Sequence, residues 1–174
     1  MDPDFKSPML VLGGAKSGKS AYAETILNRL PPPYLYIATA QVLDHEMMER
    51  VRAHKERRKD RWETIECPLV LPEVLREVHG MGRPILIDCI TLWLSNILCF
   101  SSIDPDVAVD ELCRSISAAT GPLVIVSNEV GGGIVPENPL ARKFRDLAGS
   151  TNQRLARTCA SVALVVAGLP LTLK

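Results

Sequence analysis

The sequence carries no net charge, no Cys-x-x-Cys pair, no membrane-length apolar run and no Asn-Lys-x-Asp. Each absence removes a class of function. Lys and Arg number 20, as do Asp and Glu, among 174 residues. That balance argues against a dedicated nucleic-acid partner, because such binders draw most of their affinity from neutralising phosphates. The five cysteines, Cys67, Cys89, Cys99, Cys113 and Cys159, are odd in number and lack metal-site spacing. Neither a disulfide framework nor a zinc site follows. Several lie in apolar runs, where buried thiols in a reducing, cytoplasmic setting are expected. No apolar stretch approaches the ~20 residues that span a bilayer. Residues 1–8 are polar and proline-bearing, unlike a secretion signal, and read as a leader or frayed terminus. Without Asn-Lys-x-Asp, the guanine-reading signature of switch GTPases is missing.

Apolar residues make up 47% of the chain, enough for one globular unit with a sizeable core. There is no repeat, no composition break and no low-complexity tract beyond Pro31-Pro32-Pro33. A single domain over residues 9–174 is expected.

One stretch organises the rest. Gly13-Gly14-Ala15-Lys16-Ser17-Gly18-Lys19-Ser20 follows the apolar Met9-Leu10-Val11-Leu12 and opens onto a helical pattern. Strand, glycine-rich turn and helix with G-x-x-x-x-G-K-S spacing make a phosphate-binding loop. Glycines allow positive φ and close approach of an anion. The exposed N–H groups and the helix start then favour phosphate. In that arrangement Lys19 reaches the β- and γ-phosphates and Ser20 holds Mg²⁺.

The pattern predicts a helix over 19–30 and a strand over 34–39. A second helix over 44–58 opens on Asp44 and Glu46 and closes on Lys55, Arg57 and Arg58, complementing the helix dipole. Residues 62–66 alternate as a short strand. A short helix over 70–78 precedes a buried strand, Pro84 to Asp88. Helices over 91–100 and 105–119 follow, the latter with Val107, Val109, Leu112 and Ile116 as apolar positions. Another strand, 122–127, leads into the glycine-rich 128–136 loop. Asn138 caps a helix with Pro139 at its first position and Leu140, Phe144, Leu147, Thr151 and Leu155 on one face. A strand over 161–167 and an edge strand near 169–173 close the chain. Apolar strands alternating with helices predict an α/β fold, a mostly parallel sheet with helices on both faces.

Ligands of open α/β sheets bind at the carboxyl ends of the strands. Thr39, Asp88 and Ser127-Asn128-Glu129 should therefore face the same crevice as Lys19. Asp88, ending an apolar strand, is placed to orient Mg²⁺ or its water. If 44–58 is helical, Arg50, His54, Arg57 and Arg58 share one face. Guanidinium neighbours lower an imidazole's pKa, so His54 is either a nucleophile towards phosphorus or part of a solvated basic helix end. Gly131-Gly132-Gly133 calls for unusual backbone angles or a close approach, as in a lid or substrate loop.

These segments together resemble the bifunctional adenosylcobinamide kinase / adenosylcobinamide-phosphate guanylyltransferase family. The resemblance rests on the Gly13–Ser20 loop, Tyr36-Ile37-Ala38-Thr39-Ala40, His54-Lys55-Glu56-Arg57-Arg58 with Trp62 and Glu66, and Asn128 through Asn138. Phe144-Arg145-Asp146-Leu147-Ala148-Gly149 and Asn152-Gln153-Arg154-Leu155 also fit. It implies a RecA-like P-loop fold, a homotrimer and two activities. A nucleoside triphosphate, ATP or GTP, phosphorylates adenosylcobinamide. GTP then passes GMP through a covalent histidine, here His54, to adenosylcobinamide phosphate. The implied nucleotide contacts are Gly13 to Ser20, Ala38, Thr39, Ala40, Lys55, Glu56, Arg57, Arg58, Glu66 and Asp88. The competing readings are a small-molecule P-loop kinase without guanylyl transfer and a nucleotide-binding module without catalysis.

Overall fold

The computed structural model describes residues 5–41, 49 and 61–174. Elements are numbered in chain order among these residues. The strands are β1 (Met9–Gly13), β2 (Tyr34–Ala38), β3 (Trp62–Glu66), β4 (Ile85–Asp88), β5 (Leu123–Asn128), β6 (Ser161–Val166) and β7 (Leu169–Thr172). The helices are α1 (Lys19–Leu27), α2 (Leu71–Val78), α3 (Ile90–Phe100), α4 (Pro105–Ser117) and α5 (Pro139–Thr158). The helix expected over 44–58 lies outside the described residues.

The strands form one seven-stranded sheet in the order β3-β2-β4-β5-β1-β6-β7. All pairings are parallel except β6 with β7, which are antiparallel. Burial on both faces explains why the central strands are apolar throughout, whereas the edge strand β3 carries Glu63 and Glu66. Leu10, Leu12, Leu35, Ile37, Ile85, Ile87, Leu123 and Ile125 face one way and pack against residues of α2–α5. Met9, Val11, Tyr36, Leu86, Val124 and Val126 face the other way and pack against Ala23, Ile26 and Leu27 of α1. Both faces are covered, as parallel sheets require.

Several boundaries differ from the sequence expectation, each for a local reason. Helix α1 stops at Leu27 and not Leu30. Its last turn tightens through Arg29 N to Ile26 O and Leu30 N to Leu27 O. The buried Tyr34 hydroxyl donates to Leu30 O at 2.7 Å and so satisfies a terminal carbonyl. Residues 5–8, part of the segment expected to be a leader or frayed terminus, hydrogen-bond to residues of the sheet and its loops. Ser161 Oγ donates to Lys6 O, and Ser7 Oγ donates to Gly121 O while accepting from Leu123 N. Two expected core positions point outwards: Val107 is 52% exposed and Leu140 51%. Ala108 takes the buried place on α4, and α5 is covered only from Phe144 onward.

The cap expected at Asn138 is present, and Asp104 supplies a second. Asp104 Oδ1 accepts from Asp106 N and Val107 N, and Asn138 Oδ1 from Leu140 N and Ala141 N. No described helix is long and apolar enough to cross a membrane.

Candidate active site

The loop from Gly13 to Gly18 joins β1 to α1 at the carboxyl edge of the sheet. Its shape is set by close packing. A Cβ on Gly13 would stand 2.4 Å from Ser17 Oγ and 2.6 Å from Val165 O, so only glycine fits. Gly18 has φ 95° and lies against the β6–β7 turn, where an added Cβ would meet Gly168 Cα at 3.1 Å. Gly168 N donates to Ser17 O at 2.8 Å. Lys16, at φ 56°, sits in the left-handed region that L-residues avoid, so this surrounding frame holds it there. Gly14 faces open space. Lys19, only 9% exposed, folds back so that Nζ donates to Gly14 O at 3.1 Å. Ser20 is half-buried at the first turn of α1, and Ala15 is exposed.

The other sequence-predicted residues lie along the same edge. Register places Ala38 beside both Glu66 and Asp88, and Gly13 beside Asn128. One strand, β5, separates the β1 loop from the β4 carboxylate. At ~4.8 Å per strand, the two lie roughly 10 Å apart. Asp88 is half-buried, and Tyr36 donates its hydroxyl to Asp88 Oδ2 at 3.1 Å. Glu66 is exposed at the end of β3, and Ala40 is half-buried beyond β2.

Thr39 and Ser127 do not face the crevice with their side chains. Both are fully buried. The Thr39 hydroxyl donates to Cys89 O at 2.7 Å and accepts from Cys89 N at 2.8 Å, joining the ends of β2 and β4. Ser127 Oγ donates to Asn152 Oδ1 at 2.7 Å, and Asn152 Nδ2 donates to Asn128 O. Asn128 Nδ2 donates to Thr91 Oγ1 at 2.6 Å. Asn96 Nδ2 donates to Thr39 O at 2.8 Å. A buried polar layer therefore ties β2, β4, β5, α3 and α5 together beneath the site. Cys89 lies in it, and burial with the nearby Asp88 carboxylate pushes its thiol up to about 11.

The 128–136 loop departs from expectation in its backbone. None of Gly131, Gly132 and Gly133 has positive φ. Only Gly131 meets a close approach: Glu129 Oε1 accepts from its N–H at 2.7 Å and would stand 2.8 Å from an added Cβ. Gly132 and Gly133 face open space. Arg145 on α5 donates to Gly131 O, and Arg142 to Pro136 O and Glu137 O. These bonds fasten the loop to α5. Ile134, at its tip, is 97% exposed.

His54, Lys55, Glu56, Arg57 and Arg58 lie outside the described residues, as do Arg50 and His45. Among the described residues, no cluster of three or more His, Cys, Asp or Glu could cage a metal. The donors at this edge are instead a Ser20 hydroxyl and an Asp88 carboxylate. Such hard oxygen donors, few in number, fit Mg²⁺, which keeps waters and takes its other ligands from substrate phosphates.

The profile of the family described as cobinamide kinase / cobinamide phosphate guanyltransferase matches residues 9–173. The chain belongs to this family. Two relatives agree along almost their whole length. It is 43% identical over 166 residues to the bifunctional adenosylcobalamin biosynthesis protein CobP of Pseudomonas aeruginosa, covering 95% of this chain and 96% of that one. It is 42% identical over 180 residues to CobU of Salmonella typhimurium, covering 95% and 99%. Among solved structures, a Pyrococcus horikoshii protein matches at TM-score 0.56 with 10% identity, covering 95% of this chain and 85% of that one. A type III secretion ATPase of pathogenic bacteria matches at 0.53 with 12% identity, covering 94% and 56%. Those likenesses show the fold, a RecA-like P-loop architecture.

In this cobinamide kinase family chain, sequence reasoning missed the residues that brace the site. Gly168, Thr91 and Asn96 lie in no motif, and the motifs that contain Tyr36 and Asn152 marked the family without giving either a bracing role. Only Gly168 had a local signal: Ala167-Gly168 between two strand patterns is a hairpin turn, and both residues have positive φ.

Proposed function

We propose that this chain phosphorylates the aminopropanol hydroxyl of adenosylcobinamide with ATP or GTP and then converts the phosphate to adenosylcobinamide-GDP. In the first step the hydroxyl oxygen attacks the γ-phosphorus, the nucleoside diphosphate leaves and the hydroxyl proton is released. In the second, an imidazole nitrogen of His54 attacks the α-phosphorus of GTP and pyrophosphate leaves. A phosphate oxygen of the corrinoid then attacks the guanylylated histidine and frees it. The observation that carries this reading is a phosphate-binding loop, with Lys19 folded over it, in a chain matched from 9 to 173 by a bifunctional family.

Lys19 and the loop N–H groups from Gly13 to Ser20 would hold the phosphates. Ser20 and Asp88 would hold Mg²⁺, which neutralises phosphate charge and fixes its geometry. Ala38, Ala40, Lys55 to Arg58 and Glu66 complete the proposed nucleotide contacts, with Thr39 bracing them from the buried layer. The proposal extends to a single catalytic domain over 9–174, a cytoplasmic location and a homotrimer. Light scattering should then give three times the chain mass.

GTP labelled at the α-phosphate should leave label on the protein in an acid-labile, base-stable bond, and His54→Ala should abolish it. No label, or label that survives His54→Ala, overturns the histidine route. It would leave a P-loop kinase of the same substrate.

A further inference from the structure

Strand β2 carries two tyrosines, Tyr34 and Tyr36, on the face that packs against α1. A buried phenol needs a hydrogen-bond partner. The two solve this in opposite directions. Tyr34 turns its hydroxyl to Leu30 O below the C-terminus of α1. Tyr36, 5% exposed, turns towards the carboxyl edge of the sheet. Its register partner on β4 is Leu86, but its hydroxyl climbs one pleat to reach Asp88 Oδ2 at 3.1 Å. Trp62 packs its ring edge-on against Tyr36, with centroids 6.3 Å apart. The phenol is therefore confined by neighbours on its own face, and its hydroxyl meets the Asp88 carboxylate at the site edge.

The backbone after Asp88 is fixed as well. Thr39, three residues beyond Tyr36 at the end of the same segment, bonds both the N–H and the carbonyl of Cys89. Thr39 N donates to Asp88 O at 3.2 Å. One short segment, 36–39, thus grips Asp88 by its side chain and by the two peptides that follow it. Leu86 and Asp88 share a face by strand alternation. Leu86 packs with Val11 and with α1, so that face is the one covered by α1, the helix that Lys19 and Ser20 begin.

We infer that Tyr36 is a positioning residue for the Asp88 carboxylate. Its hydroxyl occupies Oδ2 and sets the rotamer, so that the remaining oxygen is presented to the divalent cation of the bound nucleotide. This rests on the proposed role of Asp88 at the metal. The phenol acts by removing the conformational freedom that the half-buried Asp88 side chain would otherwise have, as hydrogen bonds to metal-ligating carboxylates do elsewhere.

The test uses the full chain and Mn²⁺ as probe, with a non-hydrolysable GTP analogue bound. Free Mn²⁺ is counted by electron paramagnetic resonance for the unmodified protein, Tyr36→Phe, Asp88→Asn and the double variant. Tyr36→Phe keeps the ring and its packing. It should weaken Mn²⁺ binding roughly tenfold, while leaving analogue binding in EDTA unchanged. Asp88→Asn should weaken Mn²⁺ binding at least as much. In the double variant, the loss from Tyr36→Phe should disappear, because there is no carboxylate left to orient. Equal Mn²⁺ affinity in Tyr36→Phe and the unmodified protein, beside a loss in Asp88→Asn, overturns the positioning role alone. Losses that add in the double variant also overturn it, since they mark a general packing effect. An Asp88→Asn protein with unchanged Mn²⁺ affinity overturns the metal-side reading of Asp88 and the inference with it.

Discussion

Single residues here differ sharply in how tightly their surroundings constrain them. Gly13 admits no side chain, because backbone and a serine hydroxyl stand within 2.6 Å of any Cβ. The thiols show the same contrast through electrostatics. Burial pushes Cys67 and Cys89 up to about 11 and Cys159 up to about 12, against an ordinary 9.0. Cys99 is exposed. A raised pKa means the folded state holds its proton where the unfolded state has lost it. The stability from these thiols is therefore fully present below pH 9.0 and is lost as pH rises through about 11 to 12. Urea unfolding midpoints should fall between pH 9 and 10.5. At pH 8 a disulfide reagent should label Cys99 fast and the three buried thiols only on unfolding. A flat midpoint, or early labelling of Cys89, contradicts this.

At the level of elements, two supports are of unequal weight. Arg154 on α5 pairs with Asp106 and Asp110 on α4, but both carboxylates are largely exposed. Exposed pairs contribute ~0–1 kcal/mol. The buried Asn152 bonds to Ser127 and to Asn128 O replace water that cannot reach them, and losing them costs about 1–3 kcal/mol per unsatisfied group. The second set holds α5 in place, and through Arg145 and Arg142 the 128–136 loop with it. The β6–β7 turn is the other support. Gly168 has φ 82° and donates to Ser17 O inside the phosphate loop. Gly168→Ala should cost about 1–2 kcal/mol from the left-handed backbone alone, read by chemical denaturation. It should also weaken nucleotide binding, because the loop loses its brace. An alanine variant with unchanged nucleotide affinity would show that the turn only closes the sheet. Apart from the Ala167-Gly168 turn, none of this was legible locally. Asn152 and Ser127 are 25 residues apart, and nothing in either stretch marks a partner.

For the whole molecule, the nucleotide should be a large part of the folding balance. A ligand at one hundred times its Kd stabilises by ~2.7 kcal/mol. For a chain of this size that raises Tm by roughly 5–10 °C. Differential scanning fluorimetry with Mg²⁺ and GTP should read this rise, and Lys19→Ala should remove most of it. A full rise in that variant would mean that the phosphates are held elsewhere. The sequence by itself determined the loop and its neighbours along the chain: Gly13 to Ser20, the apolar strand ending in Asp88, and the helix cap at Asn138. These are short-range matters, governed by φ/ψ limits, strand alternation and helix-end hydrogen bonding. It also implied a family through motifs, and the match over residues 9–173 agrees. Only the tertiary structure decided which polar side chains brace the site and which face it. Thr39 and Ser127 have the right position for the crevice, yet strand register turns both into the buried layer. Tyr36 reads as one more core aromatic until β2 is laid beside β4, when its hydroxyl meets Asp88. The order of strands in a parallel sheet is set by how the faces of separate elements bury one another. That depends on packing between distant segments, and no single stretch of sequence contains it.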